Sequence, residues 1–115
     1  MGKRKDEGTS TQTKQPEQVA FGVVLHRYRT VREMTQEQLS WGTGVDRKYI
    51  SRLEHGHMEP GLGTILKLVQ ALNVTLGAFM AEVEEELAKQ RLRARRARSV
   101  VREGGHTATD RSAKK

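Results

Sequence analysis

The chain contains no cysteine, which excludes disulfides and thiolate metal sites and suits a reducing compartment. Aromatic residues make up only 4% of it and hydrophobic residues 35%, so the ordered core must be modest. No apolar run approaches the roughly 18–20 residues of a membrane span. The N-terminus, MGKRKDEGTS, is basic but lacks the apolar segment of a signal peptide. Serines and histidines are present, yet none stands in a nucleophile or metal-binding pattern, and no glycine-rich phosphate loop leads into Lys-Ser/Thr. These absences predict a soluble, cytoplasmic protein with no membrane association, cofactor, metal or catalytic activity.

What the sequence has is charge and helical periodicity. Its 115 residues carry a formal net charge of +7, with a sequence pI of about 10.1. A balance this basic favours a polyanionic partner, nucleic acid before an anionic membrane. The excess is uneven: residues 1–18 and 19–83 each carry +1, and residues 84–115 carry +5. The basic pI therefore says little about the region that holds most of the large apolar side chains.

That region is residues 19–83. Leu25, Tyr28 and Val31 or Arg32 recur at helical spacing and predict a first helix over 19–31. Thr35 followed by Gln38 is a capping-box pattern and predicts a second helix from Gln36, anchored by Leu39. A tight Gly42-Thr43-Gly44 turn should end it. Asp46 caps a third helix with Ile50 and Leu53 inward, and Gly56 stops it. Ile65, Leu68, Val69 and Leu72 mark a fourth helix over 62–72, and Asn73 suits a left-handed end. Thr75 caps a fifth helix beginning Leu76, Phe79, Met80, Val83. The prediction is an all-α domain of five helices over 19–83, flanked by a disordered arm (1–18), a charged helical extension (84–102) and a disordered tail (103–115).

Residues 34–56, MTQEQLSWGTGVDRKYISRLEHG, form the centre of this pattern. Two short helices joined by a glycine turn, the second with basic and polar groups outside, make a helix-turn-helix suited to the major groove of DNA. The chain here resembles the phage-repressor and Cro-type (XRE) family. The resemblance runs through Arg29, Met34-Thr35-Gln36-x-x-Leu39, Gly44-Val45, Ile50-Ser51-x-Leu53-Glu54-x-Gly56, Pro60 and Leu72-Asn73-Val74. It covers about residues 21–80, slightly more than half the chain. Asp46-Arg47-Lys48-Tyr49-Ile50-Ser51 also resembles the controller proteins of restriction–modification systems within that family. Gly42 and Thr43 depart from the family pattern and imply an early end to the second helix; Gly61 and Gly63 weaken the start of the fourth.

The residues of the motif have the right chemistry for double-stranded DNA. Gln36 sits at a helix N-terminus, where free N–H groups attract phosphate; the resemblance makes it a backbone clamp. Arg47 and Lys48 open the third helix, and Lys48 and Arg52, four apart, share a face opposite Ile50 and Leu53; the resemblance makes all three base readers, with Arg matched to guanine O6 and N7. Tyr49 and Ser51 are further candidates for backbone or thymine contact, and His55 for a loop phosphate. His55 and His57 lack acidic or thiolate companions and make a poor metal site. The family pairs the positions of Arg29 and Glu54 as a structural ion bridge. Leu76, Phe79, Met80 and Val83 exceed what a small domain needs for its core, so a homodimer interface is expected there.

The extension reads in several ways. Glu85 and Lys89 are spaced for an ion pair. Arg91, Arg95, Arg98 and Arg102 form a basic stripe, and Val83, Leu87, Ala94, Ala97 and Val101 a weak heptad seam broken by Gln90. The expected function is a sequence-specific transcriptional regulator, a repressor, that binds two half-sites as a homodimer. The rivals are an antitoxin-type regulator whose tails hold a toxin protein, and an RNA-binding protein using the Arg-rich helix.

Overall fold

The computed structural model describes residues 14–104, with side chains described through Arg98. The arm over 1–13, the tail over 105–115 and the side chains of Val101 and Arg102 lie outside the described residues. Within them the chain forms five helices: α1 (Pro16–Val31), α2 (Gln36–Thr43), α3 (Arg47–Glu54), α4 (Leu62–Ala71) and α5 (Leu76–Gly104).

Local chemistry explains most of the boundaries. α1 starts three residues before the expected point. Pro16 occupies the first helical position, where no N–H is needed, and Gln18 Oε1 reaches back to accept from the Gln15 N–H at 3.3 Å. Its polar first turn hides this start from hydrophobic periodicity. Thr35 and Gln38 cap α2 as expected, with Gln38 N–H to Thr35 Oγ1 at 2.9 Å and Thr35 N–H to Gln38 Oε1 at 2.8 Å. The expected early end of α2 does not occur. Gly42 is helical, and Thr43 bonds back through its hydroxyl to the Leu39 carbonyl at 2.8 Å. Gly44 alone makes the turn, at φ 78°, a left-handed conformation that glycine reaches without Cβ strain. Asp46 caps α3 by accepting from the Lys48 N–H at 3.0 Å. Asn73 takes the left-handed end of α4 at φ 57°, and Thr75 caps α5 through the Ala78 N–H at 3.1 Å.

The core joins α1, α2, α3, α4 and the start of α5. Val24, Leu25, Leu39, Ile50, Leu53, Leu68, Leu72 and Phe79 are completely buried. Phe79 is the central aromatic, with ring centroids 5.2 Å from Phe21 and 5.5 Å from Tyr28. Burying such rings contributes about 3–5 kcal/mol each by the cost of their removal. Where α1 crosses α3 the two backbones nearly touch at Gly22. A Cβ added there would lie 2.4 Å from the Leu53 carbonyl oxygen and 2.7 Å from that of Glu54.

α5 is one uninterrupted helix, so no break separates domain from extension at residue 84. Its packing on α1 continues past Val83 to Glu86, which is only 6% exposed, and half-buried Leu87. Arg27 on α1 donates to Glu82 and Glu86, each at 3.1 Å, and Arg93 reaches Glu86 at 3.3 Å. Tyr28 Oη donates to Glu82 at 2.5 Å. Among the described residues these glutamates, rather than Glu85 with Lys89, make the ion pairs of the acidic run. Burial alone would raise the Glu86 carboxyl; hydrogen bonds from Arg27 and Gln90 outweigh it and hold it below the ordinary glutamate value. From Arg91 to Arg98 every residue is exposed.

Candidate nucleic-acid interface

α2 and α3 meet at a tight corner because Gly44 reverses the chain and Val45, 8% exposed, plugs into the core behind it. α3 is two-faced. Ile50 and Leu53 fix its back to the core, and Arg47, Lys48 and Arg52 stand exposed on its front. Tyr49 and Ser51 flank that front and are half-buried. Lys48 and Arg52, four residues apart, share one outward face, Arg47 is exposed at the start of the same helix, and Gln36 stands at the N-terminus of α2.

Glu54 ties the two helices and α1 together. Its side chain is only 4% exposed. Arg29 grips it with two bonds, Nε to Oε2 at 2.6 Å and Nη2 to Oε1 at 2.9 Å. The third Arg29 nitrogen, Nη1, donates to the Met34 carbonyl at 2.7 Å, where α1 turns toward α2. Gln36 Nε2 donates to Glu54 Oε1 at 3.0 Å, and His26 Nδ1 lies 3.2 Å from the same oxygen. Burial would push the Glu54 carboxyl up, but the hydrogen bonds from Arg29, Gln36 and His26 outweigh it and hold the group below its ordinary range. The structure thus brings Arg29 and Glu54 into the expected pair. It also adds two partners that spacing alone did not offer.

Gln36 is held in place by this pair. With one amide N–H bound to Glu54, its second N–H and its carbonyl have no side-chain partner among the described residues. The Gln36, Arg29, Glu54 and His26 side chains line an open recess of about 360 Å³ together with Val23 and His55. His55 Nδ1 donates to the Ser51 carbonyl at 2.7 Å, since a carbonyl can only accept. That fixes the ring with Nε2 outward. His55 and His57 rings lie 6.3 Å apart, and among the described residues no cluster of histidine and acidic side chains could hold a metal.

The expected interface residues separate into two pairs. Phe79 and Val83 are 0% and 6% exposed and belong to the chain's own core, so they cannot form an intermolecular surface. Their apolar spacing is a core signal, and composition cannot tell the two uses apart. Leu76 and Met80 are half-buried. Sequence reasoning missed Leu62 and Leu66, which stand 64% and 45% exposed on α4; both lie one turn or less from Ile65, which lines a shallow cleft with Met80 and Val83. It also missed Trp41, 74% exposed on α2. Of the basic stripe, Arg91, Arg95 and Arg98 lie in solvent; in the heptad seam, Val83 and Leu87 pack within the chain while Ala94 and Ala97 are exposed. Among the described residues no single helix is long and apolar enough to cross a membrane.

Comparison with known proteins agrees with this geometry. A helix-turn-helix family profile matches residues 25–79. A curated relative, an uncharacterised HTH-type transcriptional regulator of Sinorhizobium fredii, is 36% identical over 52 residues, 45% of this chain. The chain spans 26% of that relative's length. The restriction–modification controller protein C.AhdI of Aeromonas hydrophila is 33% identical, with a TM-score of 0.54 over 60% of this chain and 98% of that one. The clp gene regulator ClgR of Corynebacterium glutamicum shares the fold at 23% identity, with a TM-score of 0.71 over 82% of this chain and 98% of its own. The controller C.Esp1396I, solved as a tetramer on its natural 35 base-pair operator, shares it at 24% identity, with a TM-score of 0.59 over 63% and 95% of the two chains.

Proposed function

We propose that this chain is an XRE-type helix-turn-helix protein, a DNA-binding transcriptional regulator that represses by occupying a two-half-site operator as a homodimer. The observation that carries the reading is the outward face of α3. Arg47, Lys48 and Arg52 are exposed together on a helix whose back is fixed by Ile50 and Leu53. Such a helix enters the major groove with its pose already set. Arginine pairs there with guanine O6 and N7 by two donors. Gln36, oriented by Glu54, offers its remaining N–H to a backbone phosphate at the start of α2, a contact that fixes register without reading sequence. Tyr49, Ser51 and His55 border this surface and supply secondary contacts.

The dimer reading changes its residues. Leu76 and Met80 remain, Phe79 and Val83 leave it, and exposed Leu62 and Leu66 extend the strip along α4. An interface on these residues leaves the cations of α3 free, as simultaneous DNA binding requires. Repression follows because a bound dimer excludes polymerase without a further surface. The match to C.AhdI and the Asp46–Ser51 segment favour the controller subgroup. A regulator of this kind acts in the cytoplasm and has no catalytic step.

Selection of bound sites from random duplex DNA tests the proposal. The expected product is a paired motif with half-site centres about one helical turn apart. Enrichment of structured RNA over duplex DNA, or recovery of unpaired, degenerate sequences, would reject it.

A further inference from the structure

The groove between the start of α1 and the outer half of α5 belongs to none of the roles above. It encloses about 490 Å³. Pro16, Val19 and Ala94 form its floor, and Lys14, Arg91, Arg95 and Arg98 stand on its rim. All four cations are exposed. Among the described residues no carboxylate lies within ion-pairing distance of Arg91, Arg95 or Arg98, whereas Arg93 on another face of the same helix pairs with Glu86. The cationic rim is therefore not neutralised from within the described part of the chain.

Its position gives the rim a direction. Lys14 lies against the turn that ends α3: a Cβ added at Gly56 would sit 3.4 Å from the Lys14 Cδ and 3.3 Å from Val19. The groove thus opens beside the turn that ends α3. Arg91, Arg95 and Arg98 follow one face of α5 at spacings of four and three. At 1.5 Å per residue they span about 10 Å, a length that reaches a few successive phosphates of one strand.

We infer that this groove is a second DNA site, in which Lys14, Arg91, Arg95 and Arg98 hold the phosphodiester backbone beside the segment read by α3. The inference rests on the DNA-binding reading of α3 and extends it. Arginine and lysine both serve, because a phosphate row needs cations at intervals and no base-edge geometry. The site contributes affinity and a steeper salt dependence, and leaves the choice of sequence to α3.

The test uses the full chain, a triple variant Arg91→Gln/Arg95→Gln/Arg98→Gln, a triple Arg→Lys variant at the same positions, and Lys14→Gln. Each is measured on the selected duplex at several salt concentrations, with phosphate-ethylation and guanine-methylation interference. Every phosphate that the protein ceases to neutralise lowers the slope of log K against log salt by about 0.9. The Gln triple variant should lose about two to three units of slope and a contiguous set of interfering phosphates. Its interfering guanines should stay the same. The Lys triple variant should retain the slope, and Lys14→Gln should lose about one unit. An unchanged slope and phosphate pattern in the Gln variant overturns the groove while leaving the α3 reading intact. A changed guanine pattern overturns it by showing that the stripe reads bases. Binding of polyglutamate through these arginines with an unchanged DNA slope overturns it in favour of an acidic protein partner. Failure of the unmodified chain to prefer any duplex rejects both readings together.

Discussion

Two helical segments of this chain are arginine-rich, and they are built in opposite ways. α3 is eight residues long; its back is buried at Ile50 and Leu53, its first turn is capped by Asp46, and its backbone abuts Gly22. The outer half of α5 projects from the core with every residue from Arg91 to Arg98 exposed. The same guanidinium groups are therefore presented under different constraints. On α3 their origin and direction are fixed, so a mismatch in position costs energy and sequence can be discriminated. On α5 the side chains can follow a charged backbone wherever it runs. On the proposed reading, pinning, more than residue type, divides base reading from charge neutralisation.

Substitutions along α5 and α3 can break or sharpen this contrast. The largest effect should come at the anchored end of α5. Phe79→Ala removes a fully buried ring and should cost about 3–5 kcal/mol of stability. Leu92→Ala, at a position 43% exposed, should cost less than about 0.5 kcal/mol. Urea denaturation of both variants measures the difference, and similar losses would mean that the outer helix is packed after all.

Nearly as large is the effect of releasing α3 from α1. Arg29→Met leaves the Glu54 carboxylate buried with only Gln36 and His26 as partners, and should cost about 3–5 kcal/mol. Replacing both partners, Arg29→Met with Glu54→Leu, should recover much of that stability but not the DNA affinity, because Gln36 loses its orienting partner. A double-mutant cycle read by melting and by DNA binding separates the two effects.

On the binding side, Arg47→Ala and Arg52→Ala should each weaken cognate binding by about 1–3 kcal/mol and relax one base position per half-site. Competition between cognate and scrambled duplexes decides this; equal losses on both would move these arginines to the backbone class occupied by the α5 stripe. Gln36→Ala should cost about 0.5–1.5 kcal/mol on every duplex alike. A shift in preferred base at one position would contradict the clamp role.

The smallest effect concerns acid. Glu54 and Glu86 are both held below the ordinary carboxylate value, so the folded chain binds fewer protons than the unfolded one. Their contribution is complete above the unfolded glutamate pKa of about 4.3 and is lost as pH falls through the lower native values. Melting temperature should therefore decline with acidification below about pH 4.3, less steeply in Glu86→Gln. A decline of identical steepness in that variant would show that Glu86 is not differentially protonated on folding.

The helix-turn-helix is the most legible part of the sequence, because caps, turn residues and apolar spacing all agree there. Thr35, Asp46, Asn73 and Thr75 each do locally what their side chains favour. The misreadings share a different cause. Pro16-Glu17-Gln18 is helical yet polar, so composition assigns it to the arm. Gly42 lowers helix propensity, but Thr43 and the packing of α2 carry the helix past it. Glu86 sits one turn beyond Val83 on the inner stripe, and its partner Arg27 is 59 residues away in sequence. Such a pair is invisible until the chain folds. For the same reason apolar spacing alone sends Phe79 and Val83 to a partner's surface instead of the chain's own interior. The DNA-facing roles proposed for Gln36, Arg47, Lys48 and Arg52 come from the motif and the position of α2 and α3 together.

The close approach at Gly22 has an engineering consequence. With carbonyl oxygens lying where a side chain would begin, no adjustable layer separates α1 from α3, and the angle at which α3 is presented is set by main chain against main chain. The outward positions 47, 48 and 52 can then be rewritten as cassettes without retuning the scaffold. A library at those three sites should yield new operator preferences in a common docking pose. Gly22→Ala, by contrast, should tilt the reading head and disable every member of the library at once.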